Sequence, residues 1–160
     1  MPAVLRRLAV LFAIAGGLAA CAVALLTTCS IAGRALWSRP IPGDVELTQF
    51  GIALAISLCL PWAQLHGSNI IVDFFTQRSS ARTLQRLDAL GSLLLALMVG
   101  LLAWRSAAGA VSVYQAQEST MILDLPMWVT YAVLSPGLAL TALIALLQAW
   151  RRWAGQEATA

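Results

Sequence analysis

The chain has 160 residues, 60% of them hydrophobic and only 11% charged, whereas a water-soluble domain keeps roughly a quarter of its residues charged. A soluble globular domain is therefore excluded, and lipid must cover much of the surface. The formal charge of +3 comes from ten arginines and no lysine against seven carboxylates; the arginines sit at the edges of apolar runs, which calls for phosphate headgroups and not for nucleic acid.

Residues 8–33, 47–72 and 125–150 contain no charged side chain. A hydrocarbon core about 30 Å thick takes ~20 residues of helix, so each run can span it with tilt to spare. A further apolar run opens at Ala89 and reaches its first charge at Arg105, whose long stem lets the guanidinium extend toward headgroups. The expected fold is an all-α membrane protein, one domain of four tilted transmembrane helices over about 6–34, 45–72, 81–115 and 125–153.

Helix 1 follows Arg6 and Arg7. This start resembles a signal peptide, and Leu18-Ala19-Ala20-Cys21 resembles a lipobox. A secretory apolar region ends after about 7–15 residues, however, and this one continues through Val23, Leu25, Leu26 and Ile31 without a polar linker. Helix 1 is expected to be retained. Cys21, Cys29 and Cys59 lie in apolar runs without C-x-x-C spacing and read as small buried hydrophobes.

Pro40, Pro42 and Gly43 stop helix 1 and turn the chain, and Asp44 is placed to cap helix 2. In the second connection Ser79 or Ser80 can cap a helix starting near Ala81. Arg78, Arg82 and Arg86 recur there every four residues, either as a stripe on anionic headgroups or as the early start of helix 3. Asp124 and Pro126 form a start signal for helix 4. Pro61 in helix 2 and Pro136-Gly137 in helix 4 should bend their helices. Small residues recur as Ala13, Gly17, Ala20 and Ala24, as Ala96, Gly100, Ala103 and Ala107, and as Ala132, Ser135, Ala139 and Ala142, spacings that let helix backbones approach.

Arginine placement sets orientation. Arg6, Arg7, Arg78, Arg82, Arg86, Arg151 and Arg152 fall on one side; on the other, Arg34 and Arg39 are offset by Asp44 and Glu46, and the third connection carries Glu118 and Asp124 with Arg105 at its edge. Both termini are expected in the cytoplasm of a multi-pass inner-membrane protein. Trp37, Trp104, Trp128 and Tyr131 would then mark the outer interface, and Trp150, Arg151, Arg152 and Trp153 the inner one.

The spans hold no paired carboxylates, no metal-ligand spacing and no Ser, His and carboxylate set, and no phosphate loop occurs. One histidine, His66, cannot hold a haem between two; beside Gly67, Ser68 and Asn69 it reads as an interface residue. No catalytic residue, cofactor or metal is expected, and the chain reads as support for a partner that carries a site. A transporter subunit and a non-transport membrane adaptor both fit that description.

Longer matches separate them. Ile41-Pro42-Gly43-Asp44-Val45-Glu46-Leu47, Leu60-Pro61-Trp62-Ala63-Gln64 and Asn69-Ile70-Ile71-Val72-Asp73-Phe74-Phe75-Thr76 are followed by Leu87-Asp88-Ala89, Trp104-Arg105, Glu118-Ser119-Thr120 and Leu125-Pro126-Met127-Trp128. In order and spacing these resemble the small permease subunit of tripartite ATP-independent periplasmic (TRAP) transporters, over about 34–147. The Gly43-Asp44-Val45-Glu46-Leu47 segment favours this family over the tricarboxylate systems, while His66-Gly67 falls slightly earlier than in many relatives. The resemblance implies four helices with cytoplasmic ends, a large permease subunit carrying the substrate and sodium sites, and a periplasmic binding protein that delivers an organic anion. Under it Asp44, Glu46, Glu118 and Asp124 would meet those partners, with capping of helices the alternative for Asp44 and Asp124; Arg105 would pair with Glu118, with a partner carboxylate or with headgroups, and Asp73 would hold Arg78 or be solvated.

Overall fold

Surrounded by lipid, apolar runs satisfy their backbone polar groups by winding into helices. The computed structural model describes residues 3–67 and 81–154, with 81–85 as backbone. They form α1 (Ala3–Trp37), α2 (Asp44–Leu65), α3 (Ala81–Ala116) and α4 (Trp128–Trp153). All four are long and apolar enough to cross a membrane. At a rise of about 1.5 Å per residue α2 and α4 measure about 33 and 39 Å, while α1 and α3 reach about 52 and 54 Å and outrun a core of about 30 Å.

The helix ends refine the expected bounds. α1 stops where Ser38 turns left-handed, φ 54°, with its amide on the Arg34 carbonyl at 3.1 Å. α2 is capped by Gly43 at φ 71° without a side-chain bond, so Asp44 is the first helical residue and not the cap. Its end comes at Leu65, before the expected 72, with Gly67 left-handed at φ 62°; 68–72 lie outside the described residues, as do Ser79 and Ser80. α3 closes in a Schellman motif, in which Glu118 N–H donates to the Val113 carbonyl (3.3 Å) and Gln117 N–H to that of Tyr114 (3.2 Å), with Gln117 at φ 53°.

The start expected for helix 4 at Asp124 is corrected. Asp124 adopts φ 52°, its carboxylate accepts from Ser119 Oγ at 3.1 Å, and Pro126 forms a bridge with Ser119. The amides it would have capped are used in a short hairpin, and the helix begins three residues later than expected, at Trp128.

The helices stand in a row, α1–α2–α4–α3, with α1 also touching α4; among the described residues α3 meets neither α1 nor α2. Close approach at each seam depends on a missing or small side chain. Gly16 faces Cys59 Sγ and the Ala55 carbonyl, and Gly51 faces Val23. On α3, Ala96 and Ala103 are buried and a β-carbon at Gly100 would lie 3.7 Å from Ala142, so that small-residue stripe packs against the one on α4. The α1 stripe does not pack in this way: Gly17 faces open space and the contact with α2 uses Gly16. Cys21 and Cys29, expected buried, are exposed on α1. Ala9, Leu140 and Ile144 form the apolar core, with Leu5, Phe12, Trp62 and Leu65 against it.

Candidate functional site

Antiparallel packing brings the start of α1, the end of α2, the start of α3 and the end of α4 to one end of the row, called here the near end. The first and third connections meet at the far end, and most of the polar geometry lies there.

Asp44 holds the first connection to α1. Its Oδ2 accepts from the buried Ser30 Oγ at 2.5 Å and lies 3.7 Å from the Arg34 guanidinium, while Ser30 Oγ accepts the Ile41 amide at 3.3 Å. In the same first turn of α2, Glu46 reaches across to the third connection and accepts two backbone amides, Ile122 N at 2.9 Å and Leu123 N at 3.1 Å. Leu123 then occupies the space that a side chain at Gly43 would need. The segment so gripped is a hairpin in which Thr120 N donates to the Leu125 carbonyl (2.9 Å), Met127 N to that of Glu118 (3.0 Å), and Leu125 N to Thr120 Oγ1 (3.1 Å).

Of the carboxylates expected to face partners, Asp44, Glu46 and Asp124 therefore hold the chain's own connections, and Glu118 is exposed. Arg105 and Glu118 are not brought together; Arg105 is exposed on α3 and makes no hydrogen bond or ion pair among the described residues. Ser135 Oγ donates to the Ala103 carbonyl (3.4 Å), whereas Trp128 packs edge-on against Tyr114 with centroids 5.7 Å apart. Trp104, ten residues before Tyr114, thus lies about 15 Å deeper along α3 than Trp128.

Between α2 and α4 runs a polar seam that sequence reading passed over. Gln64 Nε2 donates to Gln148 Oε1 at 2.7 Å and Gln148 Nε2 to the Gln64 carbonyl at 2.9 Å, both side chains being buried. Ser57 Oγ donates to the Leu134 carbonyl (2.8 Å), and Thr141 Oγ1 to that of Gly137 (2.8 Å). The signal was present: Ser57 and Gln64 stand seven apart on α2, as do Thr141 and Gln148 on α4, a spacing that keeps each pair on one helix face.

At the near end Arg152, expected to anchor at headgroups, ties α4 to α3, its Nη1 donating to Ser92 Oγ (2.8 Å) and the Asp88 carbonyl (3.1 Å). Trp150 and Trp153 are exposed beside an apolar cleft with Ala89 and Leu93, and Trp37 is exposed at the end of α1. Arg86 is exposed and Arg151 half-buried; Arg78, Asp73 and the Arg82 side chain lie outside the described residues. His66 Nδ1 lies 3.1 Å from the Trp62 carbonyl, its ring centroid 3.9 Å from that of Trp62. Among the described residues no three His, Cys, Asp or Glu side chains cluster as metal ligands.

Comparison with known families matches residues 23–155 to the DctQ component of tripartite ATP-independent periplasmic transporters. The chain belongs to that family. No curated protein and no solved structure matches it. DctQ proteins are the small permease subunits of TRAP transporters and function with a large permease and a periplasmic binding protein. Family membership and the four apolar helices make the chain a multi-pass protein of the bacterial inner membrane.

Proposed function

We propose that this DctQ-family subunit is a scaffold: it braces the large permease during ion-gradient-driven uptake of an organic acid, with sodium as the coupling ion, and takes no part in binding the solute. One observation carries the scaffold reading. The buried polar residues among those described, Ser30, Ser57, Gln64, Ser92, Thr120, Thr141 and Gln148, all hydrogen-bond to the chain itself, and the one buried side-chain polar atom left over, Thr130 Oγ1, is a lone hydroxyl and not a cluster. A solute site in lipid keeps polar groups aimed at an open position, and here those groups are taken up within and between the chain's own helices and connections.

In this reading both termini are cytoplasmic and the far end is periplasmic, which the excess of arginine at the near end supports. Glu118 and Asp124 then face the periplasm, while Asp44 and Glu46 act indirectly by setting the shape of the far end. Arg105, a charge part-way along an apolar helix, meets a carboxylate or carbonyl of the large permease. The exposed arginines and tryptophans of the near end, Arg86, Trp150 and Trp153, lie among lipid headgroups and interfaces.

The test is uptake by vesicles holding the large permease with and without this chain, supplied with the binding protein, substrate and a sodium gradient. Uptake is expected only when the chain is present. Full-rate uptake by the permease alone would refute an obligatory scaffold. A reporter fused after 154 that is active only in the periplasm would refute the orientation.

A further inference from the structure

The hairpin between α3 and α4 ends in an apolar tip. Met121 is 100% exposed and Ile122 63% exposed, at a place where turns ordinarily carry polar residues. The tip is fixed from below. Glu46 accepts the amides of Ile122 and Leu123, Leu123 is seated over Gly43, and Thr120 is buried with its hydroxyl on the Leu125 amide. A backbone held this firmly loses little freedom on binding, which favours a contact made through the two apolar side chains that it presents.

Lipid and protein are the two surfaces such a tip can enter, and charge separates them. Residues 106–127 include Glu118 and Asp124, both exposed, and no arginine. Anionic headgroups repel that pair; the arginines of the far end, Arg34 and Arg39, lie on the first connection and not on this segment, and the Arg34 guanidinium lies 3.7 Å from Asp44. Height agrees. Arg152 fixes Ser92 at the near end, and from Ser92 to Ala116 α3 rises about 36 Å, more than the ~30 Å hydrocarbon core, with the hairpin beyond it.

We infer that Met121 and Ile122 form a docking knob for the soluble substrate-binding protein, entering an apolar recess on that partner whose rim is basic and faces Glu118 and Asp124. The inference rests on the reading that the far end is periplasmic and that the chain serves a TRAP transporter.

The test uses the reconstituted pair of membrane subunits, with uptake measured against the concentration of substrate-loaded binding protein. Met121→Asp and Ile122→Asp are expected to raise the half-saturating concentration about tenfold or more, with the large permease still co-purifying and the maximal rate kept; Met121→Leu stays near wild type. Met121 is fully exposed, so its replacement leaves folding intact. An unchanged half-saturating concentration overturns the knob. So does loss of the permease from the purified complex, which would place the tip on the membrane subunit, or added Met121→Trp fluorescence that shifts to the blue on lipid vesicles alone, which would place it in the bilayer. Wild-type vesicles that never respond to the binding protein would instead refute the transport reading itself, before any variant is compared.

Discussion

Gly137 meets Ser57 with no room for a β-carbon between them. A carbon placed there would overlap the Ser57 carbonyl and hydroxyl. That carbonyl is the one four residues before Pro61, which has no amide hydrogen to give it. The proline in α2 and the glycine after the proline in α4 thus serve a single crossing, where the freed oxygen lies against a bare Cα.

Gly137→Ala should destabilise the fold. In an exposed helix alanine gains about 1 kcal/mol over glycine, but here the obstacle is backbone and cannot turn aside, and overpacking costs about 1–3 kcal/mol. A lower midpoint of thermal unfolding in detergent is expected. Gly17→Ala, with open space around it, should leave the midpoint unchanged or raise it; equal effects at the two positions would contradict the crossing described.

The buried amide pair offers a cleaner measurement of polar cohesion. Gln148→Leu removes both the acceptor of Gln64 Nε2 and the donor to the Gln64 carbonyl, and a buried group left without its partner costs about 1–3 kcal/mol. Gln64→Leu with Gln148→Leu should recover part of that loss. A double-mutant cycle in detergent unfolding is expected to give a coupling of about 0.5–2 kcal/mol, and additive single effects would show that the two do not act together.

Glu46→Ala should loosen the hairpin and spare the helices. With the carboxylate gone, the amides of Ile122 and Leu123 lose their acceptor, and their hydrogen exchange should quicken about tenfold or more while amides in the middle of α4 keep their protection. Glu46→Gln, which keeps one acceptor oxygen and adds a donor, should fall between. Unaltered exchange at both amides in Glu46→Ala would mean that the hairpin holds its form without the grip.

Thr130→Val is expected to be neutral or stabilising by up to about 1 kcal/mol. Thr130 Oγ1 is buried without a hydrogen-bond partner, and valine fills the same shape without a hydroxyl to desolvate. A clear fall in the unfolding midpoint would identify a polar contact at this hydroxyl.

Four helices were legible because span length and charge-free runs are local properties, and lipid leaves the backbone few other choices. The end of α2 and the start of α4 were not. Asp124 beside Pro126 has the composition of a helix start, yet the residue is drawn into a left-handed turn by a hairpin whose anchor, Glu46, is 76 positions from Ile122. No window on the chain contains both. The same holds at the candidate site: Asp44, Glu46 and Asp124 were visible as polar residues in outer connections, but whether a carboxylate meets a partner or its own chain depends on which loops pack together. Gly16 and Gly17 differ in role for a similar reason, since only the partner helix decides which of two neighbouring glycines faces the seam.

The order α1–α2–α4–α3 has a consequence for passage through the membrane. Helices ranked in a row, with only the start of α1 folded against α4, make a fence more than a pipe, and the described residues present two broad sides. A polar molecule crossing beside such a palisade finds shelter on one flank at most, so the opposite wall of its route must be built from another polypeptide.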